Sequence, residues 1–372
     1  MDSLGRPFAL IYSPPGGLHT LVIETEPDGA ALVDDEQIDQ WVGSWGWWLS
    51  HLAGEPGLVG ASVTVETAPD TGGRLGREVA ANISGDAPQF ARQVLADTVE
   101  NYPAGSSVVR AYLALTFVSS TKKADRVGRE LASRLPELTG TLASTGAGVA
   151  APLDAARLCE VIRTAYDPAV ASLIDEARMA GDHVPLEFSD VGPTAAEASW
   201  DSYRHDDATS RTWVMTGAPH GLISARGLEK LLAPQRGIAR KRVTLMFEPI
   251  DPGRAAGMVE QDIRTANQRA TQRQQVAARD SLEMLQAATT AAEEAAGAAL
   301  MNFAMLVTAT TVGTGGAADA DVAAAIDSAS KAARIRLRPA YGAQDAAFAI
   351  GLPLGIIPAR RAELTASIRS AL

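Results

Sequence analysis

An internal repeat constrains the fold of this chain more than any other feature of its sequence. The segments TLVIETEPDG (residues 20–29) and TWVMTGAPHG (residues 212–221) carry Thr, Val, Pro and Gly at identical spacing. Each pattern is typical of a β-strand that ends in a Pro-x-Gly turn. Two later segments, ASVTVETAPDTGGR (residues 61–74) and KRVTLMFEPIDPGR (residues 241–254), share a Val-Thr pair, a proline and a final Gly-Arg. We therefore expect two copies of one unit.

The remaining elements follow in the same order in both halves. Helical patterns occupy residues 34–53 and 224–233, apolar strand patterns residues 108–120 and 300–312, and further helical patterns residues 124–138 and 318–335. Last strands are expected near residues 184–190 and 334–341. The predicted fold is α+β, with two duplicated βαβ-(α)-βαβ halves related to the ferredoxin-like arrangement. We expect domains at residues 1–190 and 210–372, joined by a linker at 191–209.

The second half has its own inserted segment. Residues 254–299 contain no proline and consist mostly of Ala, Gln, Arg and Glu, which favour helix. Its first part has few large apolar residues, so little of it can be deeply buried. We expect a long helix or a helical hairpin that projects from the second half.

Four tryptophans lie close together in the first predicted helix. Trp41, Trp45 and Trp48 are spaced at i, i+4 and i+7, which places them on one helical face. This stripe is expected to pack on the sheet. Trp47 lies off the stripe, where it would face a partner or a membrane interface.

Basic charge is concentrated in one segment of an acidic chain. The whole chain has a net charge of −11, whereas residues 226–279 carry 11 basic and five acidic side chains. Such asymmetry is typical of a surface for an acidic partner, anionic lipid or a DNA backbone, and also of a solvated helix face. The candidate partner-binding residues here are Arg236, Arg240, Lys241, Arg242, Arg264, Arg269 and Arg273.

The terminal run LRPAYGAQDAAFAIGLPLG (residues 337–355) predicts a compact closing element. A strand would leave the sheet at Pro339, and a short helix over residues 343–350 would end at Gly351. We expect this element to cap the second half and to contact a partner through Tyr341, Gln344 and Phe348.

The sequence contains no convincing catalytic motif. It has neither a phosphate loop with the pattern G-x-x-x-x-G-K-[ST] nor a G-x-S-x-G nucleophile elbow. Asp319 and Asp321 would either hold a divalent metal in a nucleotide-sugar transferase or begin a helix. His205 and Asp206 resemble a base and carboxylate cluster, yet they lie in the predicted linker. We expect no enzymatic activity, no cofactor and no metal.

Two further observations concern the compartment. Cys159 is the only cysteine, which excludes an intramolecular disulfide and fits a reducing environment. No stretch approaches the roughly 18 apolar residues of a membrane-spanning helix. We therefore expect a cytoplasmic protein.

Several segments resemble a known family. GRPFALI (5–11), EPDGAALVD (26–34), EPGLVGASVTVETAPDTG (55–72) and the terminal run are similar to the EccE-like actinobacterial proteins of type VII secretion and conjugative elements. The layout of the second half also resembles the N-terminal domain of VirB-type conjugative ATPases. This resemblance covers nearly the whole chain.

The resemblance implies a role in a membrane machine. The expected function is that of a non-catalytic structural or adaptor subunit of a membrane-associated secretion or conjugative DNA-transfer apparatus that contains a motor ATPase. The alternatives are a DNA-handling adaptor that uses the basic segment and a metal-dependent nucleotide-sugar transferase that uses Asp319 and Asp321. Because family members carry hydrophobic segments before this region, the family also implies attachment at the inner face of the cell membrane.

Overall fold

One antiparallel sheet of eleven strands runs through the described part of the chain. The computed structural model describes residues 1–14, 16–27, 29, 33–70, 73–101, 107–119, 124–182, 184–217, 226–235, 237–250, 257, 260, 261, 264, 301–313 and 316–358. The strands are β1 Leu10–Ser13, β2 Leu18–Glu26, β3 Leu58–Pro69, β4 Ser107–Val118, β5 Val149–Pro152, β6 Ala196–Ala198, β7 Tyr203–His205, β8 Ala208–Met215, β9 Arg240–Pro249, β10 Met301–Val312 and β11 Leu337–Pro339.

Helices lie on both faces of this sheet. They are α1 Asp35–Ala53, α2 Gly73–Asn82, α3 Gln89–Asn101, α4 Ala124–Gly140, α5 Ala155–Tyr166, α6 Ala171–Met179, α7 Glu229–Leu232, α8 Gly316–Ala332 and α9 Gln344–Ile350. Two 3₁₀ helices, Thr141–Thr145 and Pro168–Val170, follow α4 and α5. No helix of the described part is long and apolar enough to cross a membrane.

The strand order is β1-β2-β4-β3-β9-β10-β8-β7-β6. In addition, β5 pairs with β2 beyond the end of β1, and β11 pairs with β8 beyond the end of β7. The strands β3 and β9 meet at the centre, where Thr64 lies opposite Thr244. This pairing makes one continuous sheet of the first and second halves of the chain.

One face of the sheet, which we call the apolar face, carries the larger hydrophobic core. Alternate strand residues such as Leu21, Leu115, Val243 and Val307 point to it, as the two-residue period of a strand requires. In the first half α1 and α4 cover these side chains, and in the second half α7 and α8 do so.

The opposite face, which we call the threonine face, carries polar side chains that are buried together with apolar ones. Its hydroxyl groups pair across strands: Thr64 with Thr244 at 3.0 Å, Thr20 with Thr116 at 3.0 Å, and Thr212 with Thr308 at 3.0 Å. The helices α5 and α9 and the residues after α9 cover it. Each hydroxyl exchanges its water partners for a neighbour, so its burial carries little penalty.

A glycine lets the chain after α9 lie directly on the threonine face. Gly355 has φ +65°, and a Cβ at this position would lie 2.2 Å from the Thr20 hydroxyl oxygen and 2.3 Å from that of Thr116. The Thr116 hydroxyl donates to the Gly355 carbonyl oxygen at 3.3 Å. The terminal segment therefore reaches from the second half onto β2 and β4 of the first half.

The structure confirms the mixed α+β class and several local expectations. Trp48 is buried, Trp45 stacks on it with ring centroids 5.0 Å apart, and Trp47 is exposed. The terminal run forms β11, which ends at Pro339, and then α9, which ends before Gly351. Of the predicted insertion at 254–299, residues 257, 260, 261 and 264 are helical and the others lie outside the described residues.

One local expectation is wrong. The predicted strand at residues 184–190 is a series of turns, in which the Leu186 amide donates to the Val184 carbonyl oxygen at 2.8 Å. The short strand β5 is the one that pairs beside β2 instead. The expected linker at 191–209 contains β6 and β7, because its polar residues form a hairpin that continues into β8.

We predict that Gly355→Ala destabilises the protein more than Gly181→Ala does. Both glycines have positive φ, but a Cβ at Gly181 has nothing within 4 Å. The Gly181 variant should lose about 1–2 kcal/mol from backbone strain alone. The Gly355 variant should lose about 1–3 kcal/mol more, because a well-packed interior resists the added methyl group. Equal losses of unfolding free energy in urea would contradict this close packing.

Candidate partner-binding surface

The structure does not place the central basic residues on the surface that the sequence predicts. Arg240, Lys241 and Arg242 begin β9 in the middle of the sheet, where they are 6%, 2% and 2% exposed. Arg264 is exposed and lies 2.9 Å from Glu260. Arg236, Arg269 and Arg273 lie outside the described residues.

Two of the buried cations share one carboxylate. Arg240 forms an ion pair with Glu66 of β3, and the Arg242 Nε lies 3.7 Å from the other Glu66 oxygen. The Arg242 guanidinium also lies 4.7 Å from the centre of the Phe348 ring and 3.5 Å from the Ala165 carbonyl oxygen at the end of α5. Burial lowers the pKa of Arg242 to about 10. Arg242 therefore joins the sheet to α5 and α9.

This burial removes three cations from any contact with DNA or lipid. A basic side chain strengthens binding to a phosphate backbone by displacing counterions, which requires access to the solvent. The sequence pattern could not reveal this, because a run of three basic residues in a strand is usually solvated. The expectation of an exposed surface at Arg240, Lys241 and Arg242 is therefore wrong for the described chain.

The Lys241 side chain lies on the apolar face of the sheet and caps the C-terminal end of α7. Its Nζ donates to the Ala233 carbonyl oxygen, and the Thr67 hydroxyl donates to the Leu232 carbonyl oxygen at 2.9 Å. The last carbonyl groups of α7 would otherwise have no hydrogen-bond partner. Burial lowers the pKa of Lys241 to about 8.

The histidine of the expected linker is part of the core. His205 is completely buried, and its two ring nitrogens contact the Tyr166 carbonyl oxygen and, at 2.7 Å, the Ser210 hydroxyl. The Ser210 hydroxyl lies 2.7 Å from that of Thr310. Burial lowers the pKa of His205 to about 4. Because this chain of polar groups is enclosed, its position suits a structural role rather than catalysis.

The neighbouring aspartate fixes the hairpin that carries this histidine. Asp206 has φ 49°, and its carboxylate lies 2.9 Å from the Arg163 guanidinium of α5. The same carboxylate accepts the Thr194 amide at 2.7 Å. Asp206 is thus engaged in holding β6 and β7 to α5.

An exposed aromatic pair lies beside this hairpin. Trp200 is 70% exposed and Tyr341 is 46% exposed, and their rings stack with centroids 5.8 Å apart and planes 13° apart. The Gly342 amide donates to the Trp200 carbonyl oxygen at 2.7 Å. A Cβ on Gly342, which has φ +71°, would lie 2.8 Å from the Trp200 ring. Trp200 is therefore held in place although it faces the solvent.

The other two predicted residues of the terminal element hold α9 in position. The Gln344 amide oxygen accepts the Thr212 amide at 2.8 Å, and its nitrogen donates to the Thr212 carbonyl oxygen at 3.2 Å. Phe348 is completely buried beside Tyr203 and His205. Of Tyr341, Gln344 and Phe348, only Tyr341 has a side chain that is exposed to the solvent.

The edge strand β6 completes this surface. Its three residues, Ala196–Ala198, are exposed, and β6 pairs only with β7 in the described part of the sheet. Trp200 follows β6 by two residues. We call β6, Trp200 and Tyr341 the aromatic edge.

Sequence reasoning found Tyr341 but missed Trp200. The tryptophan stands in the polar segment SWDSYRHDD, which suggests a linker. One signal could have identified Trp200. It is a large aromatic residue in a segment of Ser and Asp, where no neighbouring apolar residues indicate that it packs in the core.

The aspartates of the predicted metal site lie at the start of α8. Asp321 is exposed, and the side chain of Asp319 lies outside the described residues. Among the side chains that the structure describes, no three of His, Cys, Asp or Glu are arranged to hold a metal ion.

Neither a protein-family model nor a curated protein sequence matches this chain.

We predict that Glu66→Gln destabilises the protein by about 3 kcal/mol or more, because it leaves two buried guanidinium groups without their shared carboxylate. The double variant Glu66→Gln/Arg242→Met should lose less than the sum of the two single losses, since the second change removes one unpaired charge. Denaturant unfolding of the four proteins measures this coupling. Additive losses would show that Glu66 and Arg242 do not interact.

We predict that acid lowers stability through His205. Its pKa is about 4 in the folded protein and 6.5 ordinarily, so only the unfolded chain takes up a proton as the pH falls from about 6.5 to about 4. The unfolding free energy should fall with a slope of up to about 1.4 kcal/mol per pH unit in this window. Burial also lowers the pKa of His19, which adds to the slope.

The variant His205→Gln should flatten this dependence. Replacement of His51, an exposed histidine, by Gln serves as the matched control for the substitution. An unchanged slope in the His205 variant would contradict the role of this residue.

Proposed function

We propose that this protein is a non-catalytic structural or adaptor subunit of a membrane-associated secretion or conjugative DNA-transfer apparatus. In this proposal the aromatic edge docks the protein on a neighbouring subunit of the machine, and the machine includes a motor ATPase. The family resemblance of the sequence suggests the machine. The observation that carries the docking role is Trp200, which is 70% exposed yet held in one position.

The rigidity of the aromatic pair supports a docking role. Large aromatic side chains dominate the energetics of protein interfaces, and they bind more tightly when they lose little freedom on association. The Trp200 ring is held by the backbone at Gly342 and by the stacked ring of Tyr341. The two side chains are thus already ordered in the free protein, so that they lose little conformational freedom when a partner binds.

The edge strand supports the same conclusion. The outer edge of β6 presents backbone amide and carbonyl groups that an extended segment of a partner could pair with. Trp200 and Tyr341 lie beside it and would provide side-chain contacts. A partner segment that adds to the sheet here would be held by both kinds of contact.

We also propose that the fold consists of two duplicated ferredoxin-like halves. The strand orders β5-β2-β4-β3 and β11-β8-β10-β9 have the same sequence of connections, and both are antiparallel. The shared Val-Thr motif places Thr64 and Thr244 at equivalent positions, and these two residues lie opposite each other. Pairing between equivalent residues is what a two-fold relation between duplicated strands requires.

The buried charges support a structural role over a DNA-handling one. Three of the seven basic residues expected to bind a partner are enclosed in the sheet and bound to groups of the protein itself. They stabilise the junction of the halves.

A photo-crosslinking experiment tests the docking role. With p-benzoyl-phenylalanine in place of Tyr341, irradiation of cells that assemble the apparatus should join this protein to a membrane-machine subunit or to the motor ATPase. Mass spectrometry of the crosslinked peptides identifies the partner. Adding Trp200→Ala should reduce the yield strongly, because loss of a central aromatic anchor costs about 2 kcal/mol or more of binding energy.

The control places the same photo-reactive residue at Phe90. This residue is exposed on α3, which is not part of the aromatic edge. It should give no crosslink to the apparatus. Equal crosslinking from both positions, or crosslinks from Tyr341 to proteins outside the apparatus only, would contradict the proposal.

A further inference from the structure

A second exposed tryptophan lines a small pocket on another part of the molecule. The pocket lies between α1 and the end of α4, and Trp47, Trp48, Glu55 and Glu137 are among its lining residues. Trp47 is 51% exposed, whereas Trp48 is buried and forms the base of the pocket.

Local contacts fix the aromatic wall of this pocket. The Trp47 ring lies 3.7 Å from the ring of His51, measured between centroids, and the His51 Nδ1 lies 3.1 Å from the Trp47 carbonyl oxygen. The Trp48 indole donates to the Leu138 carbonyl oxygen of α4 at 3.4 Å. The position of α1 against α4 therefore determines the shape of the pocket.

Two carboxylates, Glu55 and Glu137, also line the pocket. Glu137 is exposed on α4 and forms no ion pair with a described residue. Glu55 follows α1, and its Oε2 forms an ion pair with the Arg134 guanidinium at 3.5 Å. The lining thus combines an aromatic ring with the negative charge of Glu137.

We infer that this pocket binds a positively charged side chain, an arginine or a lysine, of a protein partner. The cation would lie over the Trp47 ring, since an indole attracts cations more strongly than other aromatic rings. Its charge would face Glu137. The aromatic ring and Glu137 favour the same sign of charge, and the net charge of −11 also favours a basic partner.

Glu137 distinguishes this ligand from a membrane surface. An isolated exposed tryptophan fits the headgroup region of a bilayer, but the carboxylate of Glu137 beside it is repelled by anionic headgroups. A protein cation is therefore the occupant that matches both the ring and the carboxylate.

Nuclear magnetic resonance of the full chain tests this inference. The protein has six tryptophans, and the variant Trp47→Phe identifies the indole resonance of Trp47. The peptide N-acetyl-Gly-Arg-Gly-amide should shift this resonance with a Kd on the order of millimolar. The same peptide with Glu in place of Arg should not shift it.

Two variants separate the contributions of the carboxylate and the aromatic ring. Glu137→Gln should weaken binding of the arginine peptide about threefold, as expected for one exposed ion pair. Loss of the aromatic ring in Trp47→Leu, followed through the neighbouring Trp48 indole, should weaken it about tenfold. Added salt should weaken binding to the original protein more than to the Glu137 variant.

Several outcomes would overturn the inference. These are equal shifts with both peptides, unchanged affinity in Glu137→Gln, and a shift with phosphatidylglycerol vesicles but none with the arginine peptide. The variant Trp200→Ala should leave the titration unchanged, because the aromatic edge is a separate surface. A negative result for this pocket can therefore be distinguished from a negative result for the aromatic edge.

Discussion

The pairing of β3 with β9 is the interaction on which the rest of the structure depends. It runs from Ala61 opposite Phe247 to Thr67 opposite Lys241 and joins the two halves into one sheet. The pairing places Glu66 beside Arg242 and so allows two cations to be buried in the protein interior. A slip by one residue would move every side chain of β9 to the opposite face. The ionic contacts at Glu66 and the hydroxyl contact between Thr64 and Thr244 would then be lost together.

The segments that cover the threonine face also connect the two halves, in addition to the pairing of β3 with β9. The helix α5 belongs to the first half, yet its last carbonyl groups accept hydrogen bonds from Arg242 of the second half and from His205 of the hairpin between the halves. The segment after α9 belongs to the second half, yet Gly355 rests on Thr20 and Thr116 of the first. The position of α9 also determines that of Tyr341, and through it the stack with Trp200. The aromatic edge therefore depends on the same interior contacts that close the sheet.

The sequence allows much of the local structure to be predicted, and its failures have identifiable physical causes. The tryptophan stripe and the end of β11 at Pro339 follow from helical spacing and proline geometry. The repeat predicts the element order and aligns Thr20 with Thr212 in sequence. In the sheet, however, Thr20 pairs with Thr116 and Ser210 pairs with Thr310. Under the proposed duplication, Thr20 therefore corresponds to Ser210. A shift of two residues preserves the face, so hydrophobic alternation cannot detect it. The burial of Arg240 and Arg242 depends on Glu66, which is 174 residues away from Arg240 along the chain and is therefore beyond any local pattern.

The protein carries a buried ionic junction and two exposed aromatic surfaces. The interior charges join the strands and helices, and we propose that the exposed rings of Trp200 and Tyr341 serve association. In this proposal the aromatic edge is a contact of an assembled apparatus. A cryo-EM reconstruction of the complete secretion or conjugation complex tests this most directly. We expect density for this protein, with Trp200 and Tyr341 enclosed against a neighbouring subunit. A reconstruction that lacks the protein, or that shows both rings facing solvent, would contradict it.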